Sequence, residues 1–108
     1  GPIVNLSGAE SQCQGSVIDG LSAMLDQKLD YRNGRVQQTN FDRYRLLRMG
    51  LDPRIDVHFI ESDFAPSGLG EPALPPVAPA VCNAVFSASG QRIRRLPISD
   101  EGYRFTKG

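Results

Sequence analysis

The sequence has few of the residues that build metal clusters. It contains two cysteines, Cys13 and Cys82, and a single histidine, His58, among 108 residues. These are too few to form a zinc site or an iron–sulfur cluster from this chain alone, so no metal ligand is assigned to it. Both cysteines lie in apolar helical patterns and are expected to be buried free thiols. Because His58 has no second ligand or acid at a fixed spacing, we expect an exposed residue, not a catalyst.

Excess charge and long apolar runs are also missing. Twelve Lys and Arg residues balance twelve Asp and Glu residues, so no net field favours nucleic acid or an anionic membrane. A local basic cluster of Arg92, Arg94 and Arg95 lacks interleaved aromatics, and a solvated helix exit explains it better than phosphate or nucleic-acid binding. No apolar run approaches the roughly 20 residues of a membrane span. We therefore expect neither a nucleic-acid partner nor a membrane span.

The first half of the chain predicts a long helix. Ser7-Gly8-Ala9-Glu10 is typical of a capping box, so a helix should begin at Ser7. Apolar residues at helical spacing then continue to about Asp26, namely Val17, Ile18, Leu21, Met24 and Leu25. Gly15 and Gly20 interrupt this helix at about 1 kcal/mol each relative to alanine. Either a ligand or backbone comes close to them, or the helix packs tightly there.

The middle of the chain predicts strands. Asn33-Gly34 favours a type I′ turn between two short antiparallel strands. Residues 40–49 follow neither period and are interpreted as an ordered loop, whose aromatic residues need partners elsewhere. Ile55, Val57 and Phe59 alternate with Asp56, His58 and Ile60, which predicts a third strand ending near Glu61.

A second helix is predicted after a proline-rich approach. Its apolar stripe consists of Val77, Val81, Ala84, Val85 and Ala88, and Gly90 is a stop signal. The sequence therefore predicts an α+β fold in which two main helices pack on a small antiparallel sheet. We expect residues 1–98 to form one unit, followed by a polar tail, 99–108, that Tyr103 and Phe105 could anchor.

One carboxylate stands out between the strands and the second helix. In Gly68-Leu69-Gly70-Glu71-Pro72, the glycines allow close approach of backbone or ligand, and the proline fixes the chain direction. The following helix start should favour a negative charge at Glu71. Glu71 is therefore a candidate general base, although a merely favourable position near a helix N-terminus explains these five residues equally well.

These motifs together resemble the C-terminal part of the molybdopterin-binding subunit of xanthine-dehydrogenase-family molybdenum hydroxylases. The branch that looks most similar comprises isoquinoline 1-oxidoreductase beta subunits and aldehyde-oxidising relatives. The resemblance covers nearly the whole chain. The segments that carry it are 12–15 (Gln-Cys-Gln-Gly), 20–22, 40–44 (Asn-Phe-Asp-Arg-Tyr), 68–72, 75–80 and 90–97.

The resemblance implies roles for individual residues. Glu71 would be the base that takes a proton as oxygen from water is transferred to an electron-poor carbon of an N-heteroaromatic compound or an aldehyde. Gln12 would lie against the pterin, Gly15 would let the helix approach it, and Gly70 would allow close approach beside the metal. The implied cofactor is molybdopterin, in its cytosine dinucleotide form, held by the full subunit.

The resemblance also implies that the chain works only as part of something larger. Its expected partners are the remainder of the molybdopterin subunit, an iron–sulfur subunit of the same enzyme and a small aromatic or aldehyde substrate. The chain would be a subdomain of a larger molybdopterin-binding domain, with no cofactor bound and no activity on its own. Ser16 and Ser67 depart from the family pattern, which commonly has glycine at both positions.

A different class of function remains open at this point. Residues 72–79 contain two proline-x-x-proline units, which could make the chain a non-catalytic interaction module for an aromatic groove. The apolar stripe directly after them favours a packed helix instead.

Overall fold

The computed structural model describes residues 1–50 and 53–104. Two helices dominate it: α1 spans Leu6–Asp26 and α2 spans Val77–Ser89. One two-stranded antiparallel sheet joins β1, Tyr31–Arg32, to β2, Arg35–Val36. The α+β class with two main helices and a small antiparallel sheet is confirmed. The helices pack against each other, whereas the side chains of the hairpin are exposed.

The first helix begins earlier than the capping box predicted. Its N-cap is Asn5, whose Oδ1 accepts hydrogen bonds from the Gly8 backbone N–H at 2.8 Å and from the Ser7 hydroxyl at 3.1 Å. Ser7 is therefore already helical, and Glu10 lies too far from Asn5 to close a capping box with that cap, which would need an acid or amide at Gly8. The predicted end at Asp26 is confirmed.

Turn chemistry explains the other local features. Asn33 and Gly34 both have positive φ, 50° and 74°, as a type I′ turn requires. The strands are only two residues long, with Tyr31 opposite Val36 and Arg32 opposite Arg35. At the end of α2, Gly90 has φ 72° and its N–H donates to the Phe86 carbonyl at 2.8 Å, so the predicted stop signal is confirmed.

The predicted third strand is wrong for the described part of the chain, where residues 53–62 belong to no sheet. Residues 53–62 run without a turn or bend, and from Pro53 to Ile60 their side chains alternate as predicted between half-buried and exposed. Within the described residues, however, no neighbouring strand pairs with them. A strand assignment requires a ladder of backbone hydrogen bonds, which the alternation of side chains alone cannot supply.

The core lies where the C-terminal half of α1 meets α2 and the end of the chain. Its buried members are Leu21, Met24, Leu25, Val77, Ile93 and Ile98. Ile98 starts a 3₁₀ helix, Ile98–Glu101, which packs on α1, and Tyr103 lies against the same core. Part of the predicted polar tail is therefore ordered, and Tyr103 is an anchor. Phe105 lies outside the described residues.

An ion pair also links this end of the chain to Lys28, just after α1. The Lys28 Nζ donates to Asp100 Oδ2 at 2.7 Å. The hydrogen bond with Asp100 raises the pKa of Lys28 above its usual value. Both side chains are about half exposed, so the contribution of the pair to stability is small.

The chain as a whole is less compact than an independent domain of its size. Its Cα radius of gyration is 16.5 Å, whereas about 13 Å is typical for a domain of some 100 residues. In the described residues, neither helix combines the length and hydropathy that crossing a bilayer requires.

Candidate functional site

The two interrupting glycines of α1 lie in different surroundings. A methyl group on Gly20 would lie 3.0 Å from the Leu74 carbonyl oxygen and 3.0 Å from Val77 Cβ. Gly20 is therefore needed for tight packing of α1 against the start of α2. Gly15 is exposed, and the described residues place no atom within 4 Å of a methyl group there. Packing inside this chain thus gives no reason for glycine at position 15.

Residues 66–70 lie next to the N-terminal half of α1. A methyl group on Gly70 would lie 3.1 Å from Gln12 Oε1, so the absence of a side chain at Gly70 lets the two residues approach closely. Gln12 and Gly15 are three residues apart on α1 and share one helix face. The structure thus brings Gln12 and Gly70 into contact, with Gly15 one turn further along α1 and Glu71 directly after Gly70.

The Glu71 carboxylate is exposed and has no hydrogen-bond or ion-pair partner in the described part of the chain. Its backbone carbonyl accepts from the Leu74 N–H at 3.0 Å, which closes a turn after the glycines. The expected support from a helix start is not found, because α2 begins at Val77 and its first turn contains no acidic residue. Both carboxylate oxygens are therefore available to groups outside these residues.

Two cavities adjoin these residues. An open depression of about 460 Å³ is lined by Gly68, Gly70, Glu71, Pro72 and Pro75. A second cavity of about 390 Å³ is lined by Gln12 together with Ser67, Leu69 and the residues before α1. The carboxylate and the glycine backbone line the first cavity and the amide of Gln12 lines the second, so the two functional groups border separate cavities that meet at the contact between Gly70 and Gln12.

No family model matches the chain, but several curated proteins do. It is 38% identical over 98 residues to a protein of Gluconacetobacter polyoxogenes named membrane-bound aldehyde dehydrogenase [pyrroloquinoline-quinone], covering 91% of this chain. It is 37% identical over 89 residues, 82% of this chain, to isoquinoline 1-oxidoreductase subunit beta of Brevundimonas diminuta. The xanthine dehydrogenase molybdenum-binding subunit of Escherichia coli O157:H7 is 33% identical over 106 residues, 92% of this chain.

This chain belongs to the molybdenum-binding subunits of the xanthine dehydrogenase family. The resemblance read from the sequence motifs is thereby confirmed. The chain spans only 13%, 11% and 14% of the length of these three relatives, respectively.

The geometry of the proline-rich segment, residues 72–79, tests the alternative of an interaction module. Residues 77–79 already form the first turn of α2, and the Val77 N–H donates to the Leu74 carbonyl at 3.2 Å in the approach to it. Two proline-x-x-proline units in turns and helix cannot present the extended polyproline conformation that an aromatic groove binds. The alternative of an interaction module is therefore not supported.

The remaining single-residue predictions have mixed outcomes. His58 is exposed, as predicted. Cys13 and Cys82 are free thiols but only half-buried, which corrects the expectation of full burial. In the basic cluster, Arg92 stacks on the Phe86 ring at 3.6 Å from its centroid and donates to Asn83 at 2.8 Å, so α2 itself holds this guanidinium.

Sequence reasoning missed a polar network that holds the loop 40–49 on α1. The buried Ser22 Oγ accepts from the Leu47 N–H at 2.9 Å and from Gln27 Nε2 at 2.8 Å, while the Tyr44 hydroxyl donates to Gln27 Oε1 at 3.0 Å. The sequence signal for this network was the aromatic content of an aperiodic loop. It indicated that the loop packs on other residues, but it did not identify those residues as Ser22 and Gln27. Ser16 is also buried, and its hydroxyl has no partner in the described residues.

Proposed function

We propose that this chain is the C-terminal part of a molybdenum hydroxylase subunit that oxidises N-heteroaromatic compounds or aldehydes with water as the oxygen source, and that Glu71 is its general base. One observation carries the proposal: an unpartnered carboxylate directly follows the close contact between Gly70 and Gln12. The names of the relatives, which include an isoquinoline 1-oxidoreductase and an aldehyde dehydrogenase, support the two substrate classes.

Gln12, Gly15 and Gly70 together fit one side of a molybdopterin site. For the cofactor we propose the cytosine dinucleotide form. Gln12 would offer its amide to the cofactor, and Gly15 leaves open space on the same face of α1. Gly70 keeps the backbone close to Gln12 where a side chain would push it away. When bound, the cofactor supplies the two-electron oxidation, as cofactors do for chemistry that side chains cannot perform.

Glu71 itself would accept and release a proton. A general base must be ionised, accessible and within hydrogen-bond reach of the proton it removes. The Glu71 carboxylate has free oxygens because no donor of the described residues engages it. The two glycines and Pro72 set the course of the backbone at this position, so the carboxylate is presented from a turn that the Leu74 N–H closes.

The chain supplies only part of such a site. Its single candidate base and one amide leave most of a large cofactor unheld, so we expect the isolated chain neither to retain molybdenum nor to turn over substrate. The remainder of the subunit would complete the cofactor and substrate pockets. An iron–sulfur subunit of the same enzyme would accept the electrons, in keeping with relatives whose names mark them as subunits.

The test is the Glu71→Gln variant in the complete enzyme, which keeps the shape of the side chain and removes its basicity. We expect kcat to fall by at least the ~10²–10⁴-fold that positioned proton transfer contributes, with molybdenum content unchanged. Glu101→Gln is the matched control because Glu101 is also exposed but lies on the 3₁₀ helix at the core.

Two results would contradict the proposal. Turnover by Glu71→Gln at the level of Glu101→Gln would remove Glu71 from the reaction. Elemental analysis that finds no molybdenum in the active enzyme would exclude this cofactor. A bound quinone in such an enzyme would instead agree with the name of the Gluconacetobacter relative, which specifies pyrroloquinoline-quinone.

A further inference from the structure

Residues 53–62 have the form of a β-strand that lacks its neighbour. The segment contains no turn or bend over its whole length. Ile55, Val57 and Phe59 are half-buried, while Asp56 and His58 between them are exposed. This is the period of two that a strand shows when one face lies on a packed layer.

Within the described residues, a single hydrogen bond engages the backbone of this segment. The Ile55 carbonyl accepts from Gln14 Nε2 at 3.3 Å, which ties the segment to α1. In the part of the chain that the structure describes, its N–H and C=O groups form no backbone hydrogen bond. Such a row of free donors and acceptors is a template for pairing with another extended chain.

The exposed face carries a residue that solvent does not favour. Ile60 is 91% exposed at the end of the alternating run. The preceding residues on that face are charged or polar, with Arg54 and Asp56 joined by an ion pair at 3.0 Å. An isolated apolar side chain on a strand is stabilised when a neighbouring strand covers it.

An apolar groove of about 670 Å³ runs beside the start of the segment. Residues of α1, of the segment, and of the approach to α2 and its start line this groove. Both helices contribute apolar side chains that the core leaves partly uncovered. The lining includes Val17, Leu21, Ile55, Ala73, Val77 and Val81.

We propose that an extended segment of the same subunit, from outside these 108 residues, pairs with residues 53–62 by β-strand addition and lays apolar side chains into this groove. The relatives supply the occupant, because the chain spans only 11 to 14% of their length. The radius of gyration of 16.5 Å, large for a chain of this size, is in keeping with a surface that another part of the polypeptide covers. The proposal rests on family membership and not on the role of Glu71.

Hydrogen exchange in the intact enzyme tests the pairing. With single-residue resolution, we expect alternate amides between Arg54 and Ile60 to exchange at least about 100-fold more slowly than the exposed loop amides of Arg45 and Leu46, which have no acceptor in the described residues. Pairing along one edge protects every second amide, whereas general burial would slow them without alternation. Exchange as fast as in the loop would overturn the proposal.

Photo-crosslinking tests the occupant. A benzoylphenylalanine residue at Ile60 of the intact enzyme should yield an intrachain product, with the linked peptide lying outside residues 1–108. The same residue at Asp42, on an exposed loop, is the control and should give no such product. A product that joins position 60 to a second copy or to another subunit would overturn the assignment of the occupant.

Discussion

The two halves of α1 have opposite relations to the rest of the chain. From Gly20 to Leu25, nearly every side chain is buried against α2, the 3₁₀ helix or the loop 40–49. From Gln12 to Gly15, the helix presents an exposed amide and an exposed glycine. One continuous helix thus builds the fold with its C-terminal half and leaves its N-terminal half for the candidate site.

This contrast explains why the two glycines of α1 are glycine for different reasons. Gly20 is required by atoms of this chain, whereas Gly15 is required by none of the described residues. A residue whose identity has no internal explanation is a better functional candidate than one fixed by packing. The same logic distinguishes Ser22, whose hydroxyl accepts two hydrogen bonds, from Ser16, whose hydroxyl has no partner among the described residues.

The largest stability difference is expected between the two buried serines. Ser22→Ala should lower the free energy of unfolding by about 1–3 kcal/mol, because the Leu47 N–H and the Gln27 amide lose their acceptor. Ser16→Ala should be neutral or stabilising by up to about 1 kcal/mol, since it removes a buried hydroxyl without a partner. Urea unfolding of both variants measures the difference, and equal losses would contradict the described network.

A smaller effect with opposite signs is expected for the two glycines. Gly20→Ala should destabilise the protein by about 1–2 kcal/mol, as over-packing against Leu74 and Val77 outweighs the gain in helix propensity. Gly15→Ala should stabilise it by up to about 1 kcal/mol, while lowering the molybdenum content of the complete enzyme. Thermal unfolding and elemental analysis check the two parts. Full molybdenum content in Gly15→Ala would leave this glycine without the proposed role.

The smallest effect concerns the start of α1. Asn5→Ala should cost about 1 kcal/mol because the Gly8 N–H loses its cap, and Ser7→Ala should cost clearly less. Circular dichroism during urea unfolding can compare the two variants. A larger loss for Ser7→Ala would restore the capping box as the true helix start.

Local chemistry made much of this fold predictable. The C-terminal ends of α1 and α2, the Asn33-Gly34 turn and the order of elements follow from apolar spacing, turn residues and the glycine after α2. The cap at Asn5 was missed because Ser7 and Glu10 satisfied the capping pattern equally well in the sequence. The burial of Ile93 and Ile98 depends on the end of the chain returning to α1, which no periodicity encodes.

The candidate site was predictable only in part. The glycines around Glu71 indicated close approach, and the structure adds the partner, Gln12, in contact with Gly70. The pairing of residues 53–62 could not be settled from these 108 residues, because a strand is defined by a neighbour that the described chain does not contain. When the partner of a residue lies elsewhere in a subunit, the sequence of one segment contains only one member of the interacting pair, so the interaction cannot be predicted from that segment alone.

The most direct test of the central claim is the structure of the complete enzyme with its cofactor bound. The account predicts that the Glu71 carboxylate lies within hydrogen-bond reach of the reacting group at the molybdenum, directly or through one water, and that the Gln12 amide contacts the cofactor. A Glu71 side chain directed into bulk solvent, away from the metal, would contradict it.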